Sequence, residues 1–273
     1  DSKIYWNNSA IASLTAGKDY LNPNLRLIVD DILEQNQKKK LSDFIGKWLK
    51  NKISSVLKSL IDLKNIQEKN SSTKALAYQL YENNGVIKRE QVSEYLDKLD
   101  QNERKILRNI GVKFGRYHVF LYKLIKPDAV SLRTLLWKNY HQKYFNLKPP
   151  IFGLNFLNDK DFKNENFMLL CGFEKFDTFF VRIDILERLF IQILNSDNKK
   201  KDKMIKMVPE MINLIGCSKE NFKRLISMMN YKIFEKNSDL FFKYNPPKKN
   251  KKLILKKPNK ESPFIVLKNL NLN

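Results

Sequence analysis

From Leu41 to Ile66 the apolar residues Phe44, Ile45, Trp48, Leu49, Ile53, Val56, Leu57, Leu60 and Ile61 recur every three or four positions, with lysines on the other face. That period fits one face of an α-helix and does not fit a strand, so the segment predicts a long amphipathic helix that needs partners to cover it. Candidate partners follow directly. Ser71-Ser72-Thr73 offers N-cap hydroxyls to a helix holding Leu76, Tyr78, Leu80 and Tyr81, which stops at Asn84-Gly85. Lys88 to Leu99 and Asn102 to Ile110 read as two further helices, the second closed by Gly111, and Ser131 to Tyr140 as another after Lys126-Pro127. Residues 38–148 are therefore expected to form a helical bundle.

The flanking segments have a different grammar. In residues 1–37, short apolar clusters are separated by Asn-Asn, Gly17 and Pro23, which predicts short strands or extended chain serving as a connector. Pro149-Pro150 and the stretch to Asp161 break every period and predict a domain boundary. Beyond it, Phe173 to Phe176 and Thr178 to Ile183 read as aromatic strands around Asp177, followed by a helix from Asp184 to Leu194.

Pro209 to Ile215 and Ser218 to Met229 then make two helices joined at Gly216-Cys217. A helix-turn-helix requires a turn glycine at its ninth position and apolar residues at the fourth, eighth, tenth, fifteenth and eighteenth, because the two helices cross closely there. With Gly216 as the ninth, these become Met211, Ile215, Cys217, Phe222 and Leu225. Tyr231 to Phe234 and Leu240 to Tyr244 follow as a hairpin, so residues 207–244 resemble a winged helix; a generic helical hairpin packed on a sheet has the same spacing. A faint echo links Asn166-Phe167 through Gly172-Phe173 with Asn221-Phe222 through Asn230-Tyr231, as two related modules would. The expected fold is mainly α with small β-hairpins: an N-terminal helical bundle, then an α+β winged-helix-like domain over residues 162–244, then a flexible basic tail at 245–273.

At 273 residues, with 18 Phe, 11 Tyr and 3 Trp, the chain has core material for two compact units. Its formal charge of +22 suits a polyanionic partner, and nucleic acid is the first expectation. The competing source of that charge is a general bias toward Lys and Asn, which would spread cations without building a site. Cys171 and Cys217 are too few for a disulfide framework, and no signal segment opens the chain, so a reducing, cytoplasmic location is expected. No apolar run reaches the ~20 residues of a membrane span, so no membrane partner is expected. A first residue that is Asp1 and an apolar opening, Ile4-Tyr5-Trp6, suggest a piece of a longer protein.

Sites for chemistry are scarce. Ala16-Gly17-Lys18-Asp19 lacks the glycine spacing and the hydroxyl of a phosphate loop. Cys171, Cys217, His118 and His141 share none of the short spacings of zinc ligands, and a Cys–His nucleophilic pair has no further support. Asp184 and Glu187 flank Arg182 and Arg188 at helical spacing, which reads first as an ion-pair cluster and second as an acid/base pair. No catalytic residue, metal site or cofactor is therefore expected in this chain.

Binding signals are stronger. Cations and rings interleave at Lys113, Phe114, Arg116, Tyr117, His118 and Tyr122, then at Lys126, Arg133, Trp137 and Tyr140, a pattern that lets cations hold a backbone while rings stack on bases. The alternative is that the rings are core and the cations only solvate the surface. In the helix-turn-helix, Lys219, Lys223 and Arg224 are candidates for phosphate contacts, with Lys232 and Lys236 from the hairpin.

Several segments occur together in a recognisable order. They are Ala75 to Leu80, Leu99-Asp100-Gln101, Gly111 to His118, Leu124 to Pro127, Cys171-Gly172-Phe173, Val181 to Leu189, and Leu214 to Ser218 with Phe222 and Tyr231. In that order they resemble the region C-terminal to the motor in alphaproteobacterial helicase-related proteins, relatives of the mitochondrial degradosome superfamily-two RNA helicase. The resemblance covers roughly residues 4–234 and leaves out the basic tail. It implies an ATP-dependent parent whose RecA-like motor lobes, with their ATP and Mg, are absent from this sequence. It also implies single-stranded RNA or DNA and those lobes as partners, with a nuclease as a further candidate. A scaffold module of the same helicase and a free-standing winged-helix DNA binder are the competing expectations.

Overall fold

The computed structural model describes residues 2–28, 33–66, 71–158, 164–197, 204–236 and 239–246. It is mainly helical, with four small antiparallel sheets of three strands each among those residues. The expected basic tail lies outside the described residues beyond Pro246.

The N-terminal segment is more than a connector. Strands β1 (Lys3–Trp6), β2 (Ser9–Thr15) and β3 (Asn24–Leu27) form a sheet in that order. Asn7 and Asn8, with φ of 46° and 65°, turn β1 into β2, a left-handed pair that matches strand twist and that asparagine tolerates. Alternation along β2 sends Ala12 and Leu14 inward, and Leu14 and Leu21 join the core formed by the next helices. The long helix expected from Leu41 starts earlier and is broken near its end. Helix α1 spans Gln35–Val56, opened by a capping box between Glu34 and Gln37, and α2 spans Lys58–Lys64. The apolar stripe continues through the break, because Leu57, Leu60 and Leu63 face the same core as Leu49 and Ile53.

From residue 71 onward one arrangement occurs three times. The first module is α3 (Ser71–Glu82), β4 (Val86–Lys88), a 3₁₀ turn leading into α4 (Ser93–Lys98), α5 (Gln101–Ile110), β5 (Val112–Phe114) and β6 (His118–Leu121). The second is α6 (Pro127–Tyr140), β7 (Phe156–Asn158), α7 (Glu165–Leu170), β8 (Phe173–Phe176) and β9 (Phe179–Arg182). The third is α8 (Ile183–Asp197), β10 (Ile205–Lys206), α9 (Pro209–Ile215), α10 (Lys219–Met228), β11 (Tyr231–Lys236) and β12 (Asp239–Tyr244). Their sheets run β4-β6-β5, β7-β9-β8 and β10-β12-β11, so each time the last strand is central, between the early strand and its own hairpin partner. The opening helices start at Ser71, Pro127 and Ile183, equally spaced along the chain.

The repetition extends to the helix ends. The side chains of Asp100, Asn164 and Ser218 each cap the helix before the hairpin, accepting the backbone N–H of Glu103, Phe167 and Asn221. Between that helix and the hairpin stands a left-handed residue: Gly111 at φ 110°, Gly172 at 88° and Asn230 at 65°. A helix that must reverse at once into a strand needs this conformation, which a side chain with a Cβ resists. The sequence echo between the second and third modules is thus part of a threefold repeat, which also includes the first.

Two expectations are corrected here. Residues 38–148 are α+β, because β4, β5 and β6 form a sheet inside the expected bundle. Pro149-Pro150 also fails to divide the fold: Val130 and Trp137 of α6 share a core with Leu157, Phe167, Phe173 and Phe180 beyond it. Proline ends helices, but it does not prevent apolar side chains on either side from packing together. Among the described residues no helix is long and apolar enough to cross a membrane.

The equivalence of the three left-handed positions can be tested by chemical denaturation. Gly111→Ala should cost about 1–2 kcal/mol, the penalty for a Cβ in this region, although only Ser59 Cβ, at 4.0 Å, lies near the added atom. Gly111→Asn, which copies Asn230, should cost less.

Candidate nucleic-acid interface

The segment richest in interleaved cations and rings folds as the hairpin of the first module. Its turn, Gly115 to Tyr117, is held from two sides. Arg89 donates its backbone N–H to the Tyr117 carbonyl at 2.8 Å and its guanidinium to the Gly115 carbonyl at 2.9 Å. On the other side Glu187, from α8 of the third module, accepts three consecutive backbone N–H groups: Arg116 at 2.6 Å, Tyr117 at 2.9 Å and His118 at 3.1 Å. Glu187 is only 9% exposed, and its carboxyl group is met by these peptide dipoles, with His118 Nδ1 3.9 Å from Oε1. Gly115 makes the approach possible, since a Cβ there would lie 2.3–2.7 Å from the Glu187 carboxyl group.

The hairpin and α8 enclose an open groove of about 550 Å³. Lys113, Phe114, Arg116 and Tyr122 line one side, and Arg188, Phe190, Ile191 and Leu194 the other. Lys113, Arg116, Tyr122 and Arg188 are exposed. The ammonium groups of Lys113 and Lys126 lie 5.6 and 5.7 Å from the Tyr122 ring centre, and the Arg116 guanidinium lies 5.7 Å from that of Phe190. Behind them the Arg104 and Arg108 guanidinium groups both lie 5.7 Å from the Phe114 ring. The groove therefore presents cations around aromatic rings, while its acids are engaged: Glu187 by the hairpin, and Asp184 by Arg182 at 2.7 and 3.1 Å.

Of the residues expected from sequence, Lys113, Phe114 and Arg116 come together in this groove, with Lys126 beside it across Tyr122. Lys219, Lys223 and Arg224 are elsewhere, on α10, where Lys219 and Arg224 are exposed and Lys223 is half-buried. The remaining three need correction. Arg133 is fully buried and donates to the carbonyls of Asn84 at 2.6 Å, Leu124 at 3.0 Å and Leu170 at 2.5 Å, tying the first module to the second. Burial lowers its pKa to about 10, still far above neutrality. His118 is 2% exposed and is held by Glu174, so it is closed to a strand. Tyr117 turns its ring into the core of the third module, edge-on to Phe190 at 5.8 Å.

The expected ion-pair cluster holds for Arg182 with Asp184, whereas Glu187 turns to the hairpin. Sequence reading thus missed Arg188 and Phe190 as groove residues. The signal was their position one and three residues after Glu187, on the α8 face that meets the hairpin.

Between the modules lies a second buried polar contact. Glu174 of β8 accepts from Lys88 Nζ at 2.7 Å and from His118 Nε2 at 3.1 Å. Burial alone would raise its carboxyl pKa, but the hydrogen bonds and charges of His118 and Lys88 bring it below the usual range. Burial pushes the Cys171 thiol up to about 12 and the Cys217 thiol up to about 11, which favours the protonated form of both.

No family model, curated protein or solved structure matches the chain.

Arg133→Met should destabilise the protein by ~3–5 kcal/mol by stranding three carbonyls, yet leave the groove of the folded fraction unchanged; denaturant titration and oligonucleotide binding separate the two. For Glu174 the depressed pKa means that its stabilisation is complete above the ordinary carboxylate range and is lost as pH falls below that range, through the depressed folded-state value. Glu174→Gln should therefore be less stable at pH 7, by about 2 kcal/mol, and should show a shallower acid limb in thermal melts below the ordinary carboxylate range.

Proposed function

We propose that this chain is a nucleic-acid-binding accessory region of an ATP-dependent superfamily-two helicase, which holds single-stranded RNA or DNA in the groove between the first-module hairpin and α8. The observation that carries the reading is the grouping in one open groove of exposed Lys113, Arg116 and Arg188 around Phe114, Tyr122 and Phe190. Cations spaced along a cleft meet phosphates whatever the base sequence, and rings between them offer stacking surfaces to unpaired bases. A uniform lysine bias would give cations without this grouping. The helicase assignment rests on the ordered segments from Ala75 to Tyr231, with the ATP-binding RecA-like lobes belonging to the parent protein. In this reading those lobes, and a nuclease, are its protein partners.

On the same reading the three modules are winged-helix-like. In the third, a helix, a short strand, two helices crossing at left-handed Gly216, and a hairpin with a central last strand follow in the order that such a domain requires. Met211, Ile215, Phe222 and Leu225 are buried and Cys217 is half-buried, as the crossing demands. Exposed Lys219 and Arg224 on α10 favour a second reading, in which this module contacts duplex phosphates.

The test is binding of labelled single-stranded oligonucleotide over a salt series. Affinity should fall steeply with salt, with a logarithmic slope of about −0.7 for each phosphate neutralised. The combined Lys113→Ala, Arg116→Ala and Arg188→Ala variant should bind ~100-fold more weakly, at ~1 kcal/mol for each contact, with a shallower slope. Salt-independent affinity, or an unaffected variant, refutes the reading. Loss of duplex binding alone on Lys219→Glu with Arg224→Glu would assign the α10 surface to duplex.

A further inference from the structure

A second group of rings remains exposed, sharing no residue with the groove. Trp6 is 61% exposed, Phe44 60% and Trp48 49%, beside Tyr5 at 52%. Trp6 ends β1 at the Asn7-Asn8 turn, and Phe44 and Trp48 stand one turn apart on α1. Together they border a cleft of about 420 Å³ with Ile4, Ile11, Leu41 and Ile45. Leaving three large rings in water forgoes apolar burial that a core would have gained, and exposed apolar groupings of this kind mark binding surfaces. Trp137, the remaining tryptophan, shows the contrast: it is 9% exposed and stacked on Tyr144, with ring centres 5.0 Å apart.

The surrounding charge selects the occupant. Helix α1 carries lysines at positions 38, 39, 40, 47, 50 and 52 against one acid, Asp43. Lys40 and Lys47 lie within one turn of Phe44 and are exposed, as is Lys3 on β1. A second copy of a chain bearing +22 charges would be repelled here. A neutral apolar peptide would leave the lysines unmatched. An anionic bilayer would meet the same lysines, but these rings flank a cleft between a hairpin and a helix, a shape that receives inserted flat groups.

We infer that the cleft between β1 and α1 is a second single-strand site, where bases stack on Trp6, Phe44 and Trp48 while Lys3, Lys40 and Lys47 meet the phosphates. It rests on the proposed reading of the chain as a nucleic-acid-binding protein, and adds a place of contact outside the groove.

Two of the three tryptophans belong to this site and the third is buried, so intrinsic fluorescence reports on it directly. Adding a short oligouridylate to the full chain should quench emission, and quenching should persist in the Lys113→Ala, Arg116→Ala, Arg188→Ala variant, whose groove is disabled. In that groove-disabled background, Trp6→Ala with Phe44→Ala and Trp48→Ala should weaken the remaining binding ~10-fold or more by anisotropy of labelled oligouridylate. Lys40→Glu with Lys47→Glu keeps both tryptophans and should reduce quenching, which guards against a folding defect in the ring variant. Oligouridylate that binds by anisotropy without quenching, or binds the groove-disabled chain equally tightly with and without its rings, overturns the inference while the groove reading stands. Absence of binding by any single strand overturns both. A blue shift with phosphatidylglycerol vesicles and no response to oligouridylate overturns it in favour of a membrane surface.

Discussion

Glu187 brings a charge to a place where water scarcely reaches, and the fold can hold it there only because three peptide N–H groups of a neighbouring module point at the same carboxylate. A carboxylate in that position without those donors would cost several kcal/mol, so hairpin and helix must arrive together. Each half of the contact lacks a partner without the other. Gly115 belongs to the same device, since its missing side chain is the space that the carboxylate enters. The walls of the groove are set by this one contact, because Lys113 and Arg116 stand on the pinned hairpin, with Tyr122 directly after it, while Arg188 and Phe190 stand beside Glu187 on α8.

Arg133 and Glu174 extend the principle to the other module boundary. Arg133 takes carbonyls from the ends of α3 and α7 and from the turn before α6, where helix termini leave acceptors that no amide reaches. Glu174 joins β8 to Lys88 of β4 and His118 of β6. Polar groups thus hold the modules in one relation where apolar packing alone would tolerate several.

How much of this was legible in the sequence depended on the kind of signal. Helices α3, α9 and α10 were readable because their apolar periodicity and the breakers beside them, Asn84-Gly85 and Gly216, agree over a dozen residues or fewer. Strands β4, β5 and β6 were not, since three or four residues are too short to show a period of two, and their flanks read equally well as helix ends. At the groove, Lys113, Phe114 and Arg116 were found because they are contiguous. Arg133 lay in the same cation-rich run but serves the interior, and nothing in a linear sequence separates an arginine that meets solvent from one that meets three carbonyls. Arg188 and Phe190 were missed because their partners lie some seventy residues away, in a hairpin whose approach only the fold reveals.

The passage from β9 to α8 has a further consequence. Arg182 closes the strand and Ile183 opens the helix, with no residue between them. Strand and helix are therefore locked in phase. One residue inserted at that joint would turn α8 by about 100° about its axis. Glu187 would swing away from the hairpin, and Phe190, Ile193 and Leu189 would exchange faces with it. Lengthening a surface loop costs little closure entropy, but at this joint the count of residues is itself a structural element, as fixed as any side chain.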